Sequence, residues 1–434
     1  MSLGLHNSGF EGVMGVEVHP HAFATYRHNL IQTGRVGKAW PEWLPVGPTS
    51  VLDLVEHYPA ELAGLAGTVD LIAGGPPCQG FSTNGRRDPD DPRSRMVEAY
   101  LNIVEVVRPR AVLLENVRGF VSMPHSDGGT YATATEARLQ KLGYDCWSDT
   151  LMAADWGVPQ RRPRYICVAM QKGLLQGINP LERLRTVRKS FLAQRGLGSG
   201  QTSVAQALSD LSAEAVVQDD PEWGDHGFQA VSRSDNGDYS AYQTLMRAGQ
   251  EGQPSDCRIA RHTPTVAARM QKILDTCERG RSISPADRAR LGIGKRCTTP
   301  LAANRPSPTV TTLPDDMIHY REPRTMSVRE LARLQSFPDW FAFQGPYTTG
   351  GAQRKDACPR YTQVGNAVPP LLAEAIGEVL IELLAEHEGA KPPDQCELAA
   401  EILPVLREVR DSNGITLVAS NAPAVVSPLL EGMG

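Results

Sequence analysis

Through the first 170 positions, short apolar runs alternate with longer amphipathic stretches. GVMGVEV (Gly12 to Val18), TVDLIAGG (Thr68 to Gly75), AVLLENV (Ala111 to Val117) and RYICVAM (Arg164 to Met170) read as strands. The stretch from Pro92 to Val107 has the spacing of a helix lying between two of them. Strands alternating with helices predict a parallel sheet covered on both faces, with ligands held by the loops that follow the carboxyl ends of the strands. Two such loops stand out: GGPPCQGFS after TVDLIA, and ENVRGF after AVLL.

Near Leu174 the rhythm gives way to polar, Gly-rich, irregular sequence that continues to Pro323, which reads as a second domain with few long apolar periods. From Ser327, SVRELARLQSF is helical again. The loop QGPYTTGGAQRKDACPRYT then leads to QVGNAVPPLLAEAIGEVLIELLAEH. Its Pro pair and apolar spacing of three to four predict a helix that packs back on the first domain. The tail after Lys391 is Pro-interrupted and weakly patterned, and no internal repeat is present.

Composition narrows the class. With 434 residues, 41% hydrophobic, 21% charged and 6% aromatic, the chain is a folded globular protein long enough for two or three domains. The longest apolar runs fall well short of the roughly 20 residues that cross a bilayer, and the N-terminus lacks a basic region followed by an apolar run. The cytoplasm is therefore the expected compartment, and the eight cysteines are expected to be mostly thiols. No Cys-x-x-Cys pair occurs, so no metal site is expected.

The formal net charge of −5 hides strong local imbalance. Val158 to Gly196 carries nine basic residues and one acid, Glu251 to Pro300 ten basic residues and five acids, and Ser209 to Ser240 eight acids and one arginine. The basic blocks are either solvated faces or a surface directed at phosphate.

Three groups of residues point to chemistry. Cys78 stands in a loop whose glycines permit close approach and whose prolines stiffen the turn, a frame suited to a nucleophile. A cysteine peptidase would need a partner among His6, His19, His21 and His28, none of which sits in a comparable frame. Glu115 and Asn116 end the neighbouring strand and would reach the same end of the sheet as Cys78. In QRRPR, strand alternation puts Gln160, Arg162 and Arg164 on one side and Arg161 on the other. Buried arginines require anions or carbonyls as partners.

GGPPCQGFS, the Glu-Asn-Val turn, QRRPR, SVRELARLQSFPDWF and QVGNAVPP occur in this order with suitable gaps, and together they resemble the DNA (cytosine-5) methyltransferase family over most of residues 2 to 390. The resemblance implies an α/β, doubly wound, Rossmann-like methyltransferase domain with a smaller, irregular target-recognition domain. It divides the chain into a catalytic and cofactor-binding region (1–173), a target-recognition domain (174–345), a return segment completing the catalytic domain (346–390) and a tail (391–434). It implies methylation of cytosine C5 in double-stranded DNA, in a monomer, as part of a restriction-modification system with a cognate restriction endonuclease or as an orphan. Cys78 is implied as the thiolate that adds to cytosine C6, and Glu115 as the carboxyl, of raised pKa, that holds N3. Arg164 is implied as the donor to O2, with Arg162 in support. S-adenosylmethionine is implied as cofactor, with Glu17 at the ribose hydroxyls, Val18 against the adenine and Asp53 at its amino group. Pro77, Asn366 and Val368 would complete that pocket.

Members of the family open with a strand and a turn of the form Asp-Leu-Phe-x-Gly-x-Gly-Gly before a helix resembling SLGLHNSGF. Here Met1 occupies the last position before that helix. The expectation is that the start lies at an internal Met of a longer protein. The alternative is a truncated relic that binds DNA without catalysis. A further alternative, methylation of tRNA, fits poorly with the long middle region.

Overall fold

The computed structural model describes residues 1–37, 40–76, 95–125, 128–220, 225–235, 237–295, 297–348, 357–386 and 420–421. Pro77 and Cys78, the first three residues of the expected Pro92–Val107 helix and nearly all of the tail lie outside the described residues.

The chain opens on α1 (Ser2–Asn7), the two-residue strand β1 (Glu11–Gly12), α2 (Pro20–Tyr26), α3 (Val51–His57) and α4 (Pro59–Gly64). Here the structure corrects the sequence reading. From Val13 to Val18 the chain is not a strand, although Val13, Met14 and Val16 are buried. An apolar run reports burial, whereas a strand also needs a neighbour to take its backbone groups. β1 has only a short antiparallel pairing with Ser420–Asn421 and one bridge from Gly12 to Val36.

Next come β2 (Leu71–Gly74), α5 (Arg95–Val107), β3 (Ala111–Val117), α6 (Tyr131–Lys141), β4 (Tyr144–Met152) and β5 (Pro163–Gln171). They form a four-stranded sheet in the order β2-β3-β5-β4. β2 and β3 are parallel, with Leu71 opposite Ala111, as a crossover through α5 requires. The expectation of an all-parallel sheet is corrected, because β5 runs antiparallel to both β3 and β4. The segment 153–162 joining β4 to β5 is a 3-10 turn capped by Gly157 at φ 80°, with no crossover helix, so the chain folds straight back beside itself.

Alternation along the strands feeds two cores. Leu71, Ala73, Ala111, Leu113, Ile166 and Val168 point into one, and Ile72, Val112, Leu114, Cys167 and Ala169 into the other. α5 and α6 cover the second face. The first is covered by α1, α7 (Pro180–Gln194) and α14 (Pro370–Ala385), the helix expected to return. Gly4 and Gly377 let α1 and α14 meet closely, since a Cβ on either would collide with Pro370 or Ser8.

The middle of the chain holds α8 (Val204–Leu208), the antiparallel pair β6 (Leu211–Asp220) and β7 (Asp225–Arg233), α9 (Ala241–Arg247), α10 (Pro264–Thr276) and α11 (Pro285–Leu291). A small separate cluster of Ile273, Leu274, Cys277, Ile283 and Ile318 forms the interior beneath α10. Two short strands, β8 (Thr299–Pro300) and β9 (Met317–Ile318), precede α12 (Val328–Leu334) and α13 (Arg360–Asn366).

Every residue of α12 is buried, including Arg329, Glu330 and Arg333. Arg329 donates to the carbonyls of Ser255, Pro338 and Phe341, and its Nη2 lies 3.4 Å from Asp256 Oδ2. Asp256 also accepts from Arg360 at 3.0 Å. Arg333 is held between Asp210 and Asp339, with Nε 2.8 Å from Asp339 Oδ1. Glu330 takes a bidentate pair from Arg324 at 2.7 and 2.8 Å. Burial alone would raise the Glu330 pKa, but Arg324 and His319 outweigh it and leave it at about 2. Burial lowers the His319 pKa to about 4 against the pull of Glu330.

Candidate active site

At the carboxyl end of β3, Glu115 sits diagonally across the antiparallel pair from Arg164 at the start of β5. Arg164 Nε lies 2.7 Å from Glu115 Oε1, and both side chains are about one-tenth exposed. A second Arg164 nitrogen donates to the Pro163 carbonyl at 2.7 Å. Gly75 opens the loop that follows β2, and a Cβ there would lie 3.0 Å from Glu115 Oε2. Glycine at this point makes room for the carboxylate at the root of the loop that carries Cys78. Asn116 Nδ2 donates to the Pro76 carbonyl at 3.3 Å and ties the same root to β3.

Strand spacing predicted the neighbours of Arg164 correctly: Gln160 and Arg162 are buried and Arg161 is exposed. Arg162 meets three carbonyls, those of Gly365 at 2.9 Å, Val310 at 3.2 Å and Ala367 at 3.2 Å. The Gly365 and Ala367 carbonyls bracket Asn366, which is exposed at the end of α13. Arg162 thereby fixes a backbone segment in place. Val368, two residues on, accepts from the Met1 α-amine at 3.4 Å, and burial lowers the pKa of that amine to about 6.

Glu17 and Val18 lie in the turn that leads to α2. Burial raises the Glu17 pKa, against the His19 and Val18 backbone N–H groups, and His19 N donates to Oε1 at 2.8 Å. The Glu17 carbonyl accepts from Thr49 N at 3.0 Å, one residue before Ser50. Ser50 caps α3 by accepting from Asp53 N at 2.9 Å, so Asp53 is an exposed acid in the first turn of α3, close in the chain to the Glu17 contact. Thr25 on α2 donates to Gln363 on α13 at 2.6 Å and joins this side to the Asn366 segment. Burial, aided by the Glu17 charge, pushes the Cys358 thiol up to about 12.

The sequence reading placed Gln160 beside the arginines without giving it a role, and it gave none to Gln335 or Gln363. Gln160 donates to the Leu334 carbonyl and to Gln335 Oε1 while accepting from Val310 N. Gln335 donates to the Val364 carbonyl at 2.7 Å, and Gln363 donates to the carbonyls of Gln344 and Cys358. Each stands inside one of the motifs, but a neutral amide carries no charge to show what it bonds. Strand alternation, which paired Gln160 with the arginines, was the one available signal.

The sequence profile of the C-5 cytosine-specific DNA methylase family matches residues 1–382. The chain is 29% identical over 417 residues to the Type II methyltransferase M.XorII of Xanthomonas oryzae pv. oryzae, covering 93% of this chain and 87% of that protein. It is 30% identical over 349 residues to the Type II methyltransferase M.Bpa9945I of Bacillus paralicheniformis, covering 74% of this chain and 72% of that protein. In fold it is similar to a solved DNA modification methyltransferase encoded within an E. coli prophage, with a TM-score of 0.61 at 24% identity, covering 88% of this chain and 96% of that one. The match along nearly the whole described chain, over the sheet whose strand ends carry Glu115 and Arg164, leads to one conclusion: the chain belongs to the C-5 cytosine-specific DNA methylase family, and is an enzyme that methylates DNA.

Proposed function

We propose that the chain methylates C5 of cytosine in double-stranded DNA, with S-adenosylmethionine as methyl donor, as the modification half of a restriction system. The observation that supports this most is the buried Glu115–Arg164 pair at the root of the loop bearing Cys78. The Type II names of the relatives support the restriction context.

Cytosine C5 is a weak nucleophile. In this reading the Cys78 thiolate adds to C6, forming the S–C6 bond and making C5 electron-rich. A free thiol titrates near about 8.5, so positive charge and backbone N–H groups at the site must favour the thiolate. Glu115 holds the proton at N3 as charge develops in the ring, and Arg164 donates to O2 while steadying Glu115. Once C5 has gained the methyl group, a base takes the C5 proton, which re-forms the C5–C6 double bond and expels Cys78 as the thiolate. Because stacking covers C6 in a duplex, the base must leave the helix first.

The donor set fits the cofactor. The Glu17 and Asp53 carboxylates accept from hydroxyl and amino donors, and the segment from Asn366 to Val368 is fixed from behind by Arg162. S-adenosylmethionine, when bound, supplies an electrophilic methyl group to C5. Glu17 would hold the ribose hydroxyls, Val18 the adenine face and Asp53 its amino group, with Pro77, Asn366 and Val368 closing the pocket.

The test is transfer of tritiated methyl groups from S-adenosylmethionine to duplex DNA, with the product nucleoside identified by mass spectrometry. The expected product is 5-methyl-deoxycytidine, absent with Cys78→Ser. Label on another base, or on RNA in preference to DNA, overturns the reading.

A further inference from the structure

In the block from Val158 to Gly196 all seven arginines have partners inside the protein. Arg161 donates to Gly280 O, Arg162 to three carbonyls, and Arg164 pairs with Glu115. On α7, Arg183 pairs with Glu382, Arg185 with Asp149, and Arg195 with Glu374 and Glu378, while Arg188 takes the carbonyls of Asp155 and Ser199. These cations hold the fold together.

α10 is built differently. Thr263 caps it, Pro264 opens it, and Ile273 and Leu274 anchor it on the small interior below. Thr265, Ala268, Arg269 and Lys272 are all exposed, and at spacings of three, four and seven they line one face. The Arg269 and Lys272 side chains have no hydrogen bond or ion pair among the described residues. The acid on the flank of this face, Asp275, accepts from Gln271 at 2.7 Å. Beside the stripe lies a half-open slot of about 310 Å³ whose wall includes Val266, Met270, Ile293 and the Arg269 stem. At the slot, Lys295 sits between Asp315 and Asp316 at 2.5 and 2.6 Å, so its charge is taken up inside the protein, and Arg269 is the cation of the wall left to meet an outside partner. Arg261, just before the helix, stacks over Phe228 with its guanidinium 4.2 Å from the ring centre and adds to the same sign of charge.

We propose that α10 is a recognition helix for the DNA of the proposed reaction. It enters the major groove with Arg269 on a base edge, Thr265 and Ala268 allowing close approach, and Lys272 on a phosphate. A helix of this width fits that groove, an arginine there takes guanine O6 and N7 as a bidentate pair, and small side chains pack against thymine methyls. The slot wall formed by Val266 and Met270 accommodates a methyl or ring edge next to the contacted guanine. This inference rests on the reading of the protein as a methylase of duplex DNA, and it assigns the reading of sequence to one helix.

Selection from a random pool of duplexes tests it independently of catalysis. The full chain, Arg269→Ala and Lys272→Ala are each used to retain duplexes at fixed salt, the retained pools are sequenced, and affinity for mixed-sequence DNA is measured across salt. Thermal melts of each variant confirm that it is folded. The expected result is that Arg269→Ala loses about tenfold of its preference for guanine at one or two positions, with a smaller change on mixed DNA. Lys272→Ala weakens all sequences alike and lowers the salt slope by about one. If Arg269→Ala keeps the parent's preference, or weakens all sequences uniformly, α10 is not the reading element. A parent that selects DNA through Arg269 but transfers no methyl group would refute the catalytic reading and leave this one standing.

Discussion

The arginines of α7 and β5 and the Arg269–Lys272 pair of α10 come from similarly basic stretches of sequence, yet the fold uses them in opposite ways. Arg162, Arg164, Arg195, Arg329 and Arg333 are held by carboxylates and carbonyls of the same chain. Arg269 and Lys272 face solvent from one side of a helix, with no such partner among the described residues. Charge counted along a sequence therefore does not locate a surface for phosphate. What decides is whether the fold brings acids and carbonyls to meet each cation, and α7 meets its acids on α14 and β4.

The largest effect that would break this comparison lies in α12. Replacing Arg333 with Leu leaves buried Asp210 with Arg247 alone and buried Asp339 with Arg233 alone, and we expect a loss of about 3 kcal/mol in urea unfolding. A loss below about 1 kcal/mol would mean that the buried arginines do not hold the fold.

Arg164→Ala is expected to lower kcat by about 100- to 1000-fold, as for removal of a donor aimed at developing charge. Its effect on cofactor affinity should be small, which equilibrium dialysis with S-adenosylmethionine checks. A change confined to KM would move Arg164 from the reacting base to ground-state binding.

The buried ions also predict how stability responds to acid. His319 has a folded pKa of about 4 against 6.5 when unfolded, so its contribution is present above pH 6.5 and is lost as pH falls towards 4. Glu330, at about 2 against 4.5, loses its contribution over the window from 4.5 down to 2. Unfolding free energy should fall by up to about 3 kcal/mol through the first window, and His319→Asn should flatten that limb and narrow the second, because His319 helps to hold the Glu330 pKa down. A limb unchanged by the substitution would place the titration elsewhere.

The smallest effect sharpens the contrast most. Arg195→Ala should cost about 1–2 kcal/mol, because Glu374 and Glu378 lose their shared partner. The folded variant should bind mixed-sequence DNA with the parent's salt slope, unlike Lys272→Ala. An equal fall in slope for both would erase the distinction between the two groups of cations.

Some of this organisation was legible in the sequence. β2, β3 and β5 are continuous apolar runs because both of their faces are buried, whereas the pairing of Glu115 with Arg164 was not legible, because it needs β5 to run antiparallel to β3. β4 was not picked out. It lies at the sheet edge, and Asp145, Ser148 and Asp149 break its apolar pattern. The antiparallel course of β5 was equally hidden, since strand direction depends on whether the connection crosses over, and the 3-10 turn at 153–156 has no helical period to announce the difference. Val13 to Val18 misled in the other direction, because its burial comes without a pairing strand among the described residues. In α12 the polar residues are all buried, a pattern that amphipathic spacing cannot show, because each charge is met from outside the helix, by Asp256, Asp210, Asp339 or Arg324.

The central claim is that Cys78, Glu115 and Arg164 act together on one cytosine. It is tested most directly by incubating the full chain with S-adenosylmethionine and duplex DNA containing 5-fluorocytosine, then running a denaturing gel. Fluorine at C5 blocks the final elimination, so a working site stays bonded to the DNA. The account predicts a slower-migrating adduct that disappears with Cys78→Ser and forms far more slowly with Glu115→Gln or Arg164→Ala. An adduct that persists in Cys78→Ser, or no adduct while the parent still binds both DNA and cofactor, would contradict it.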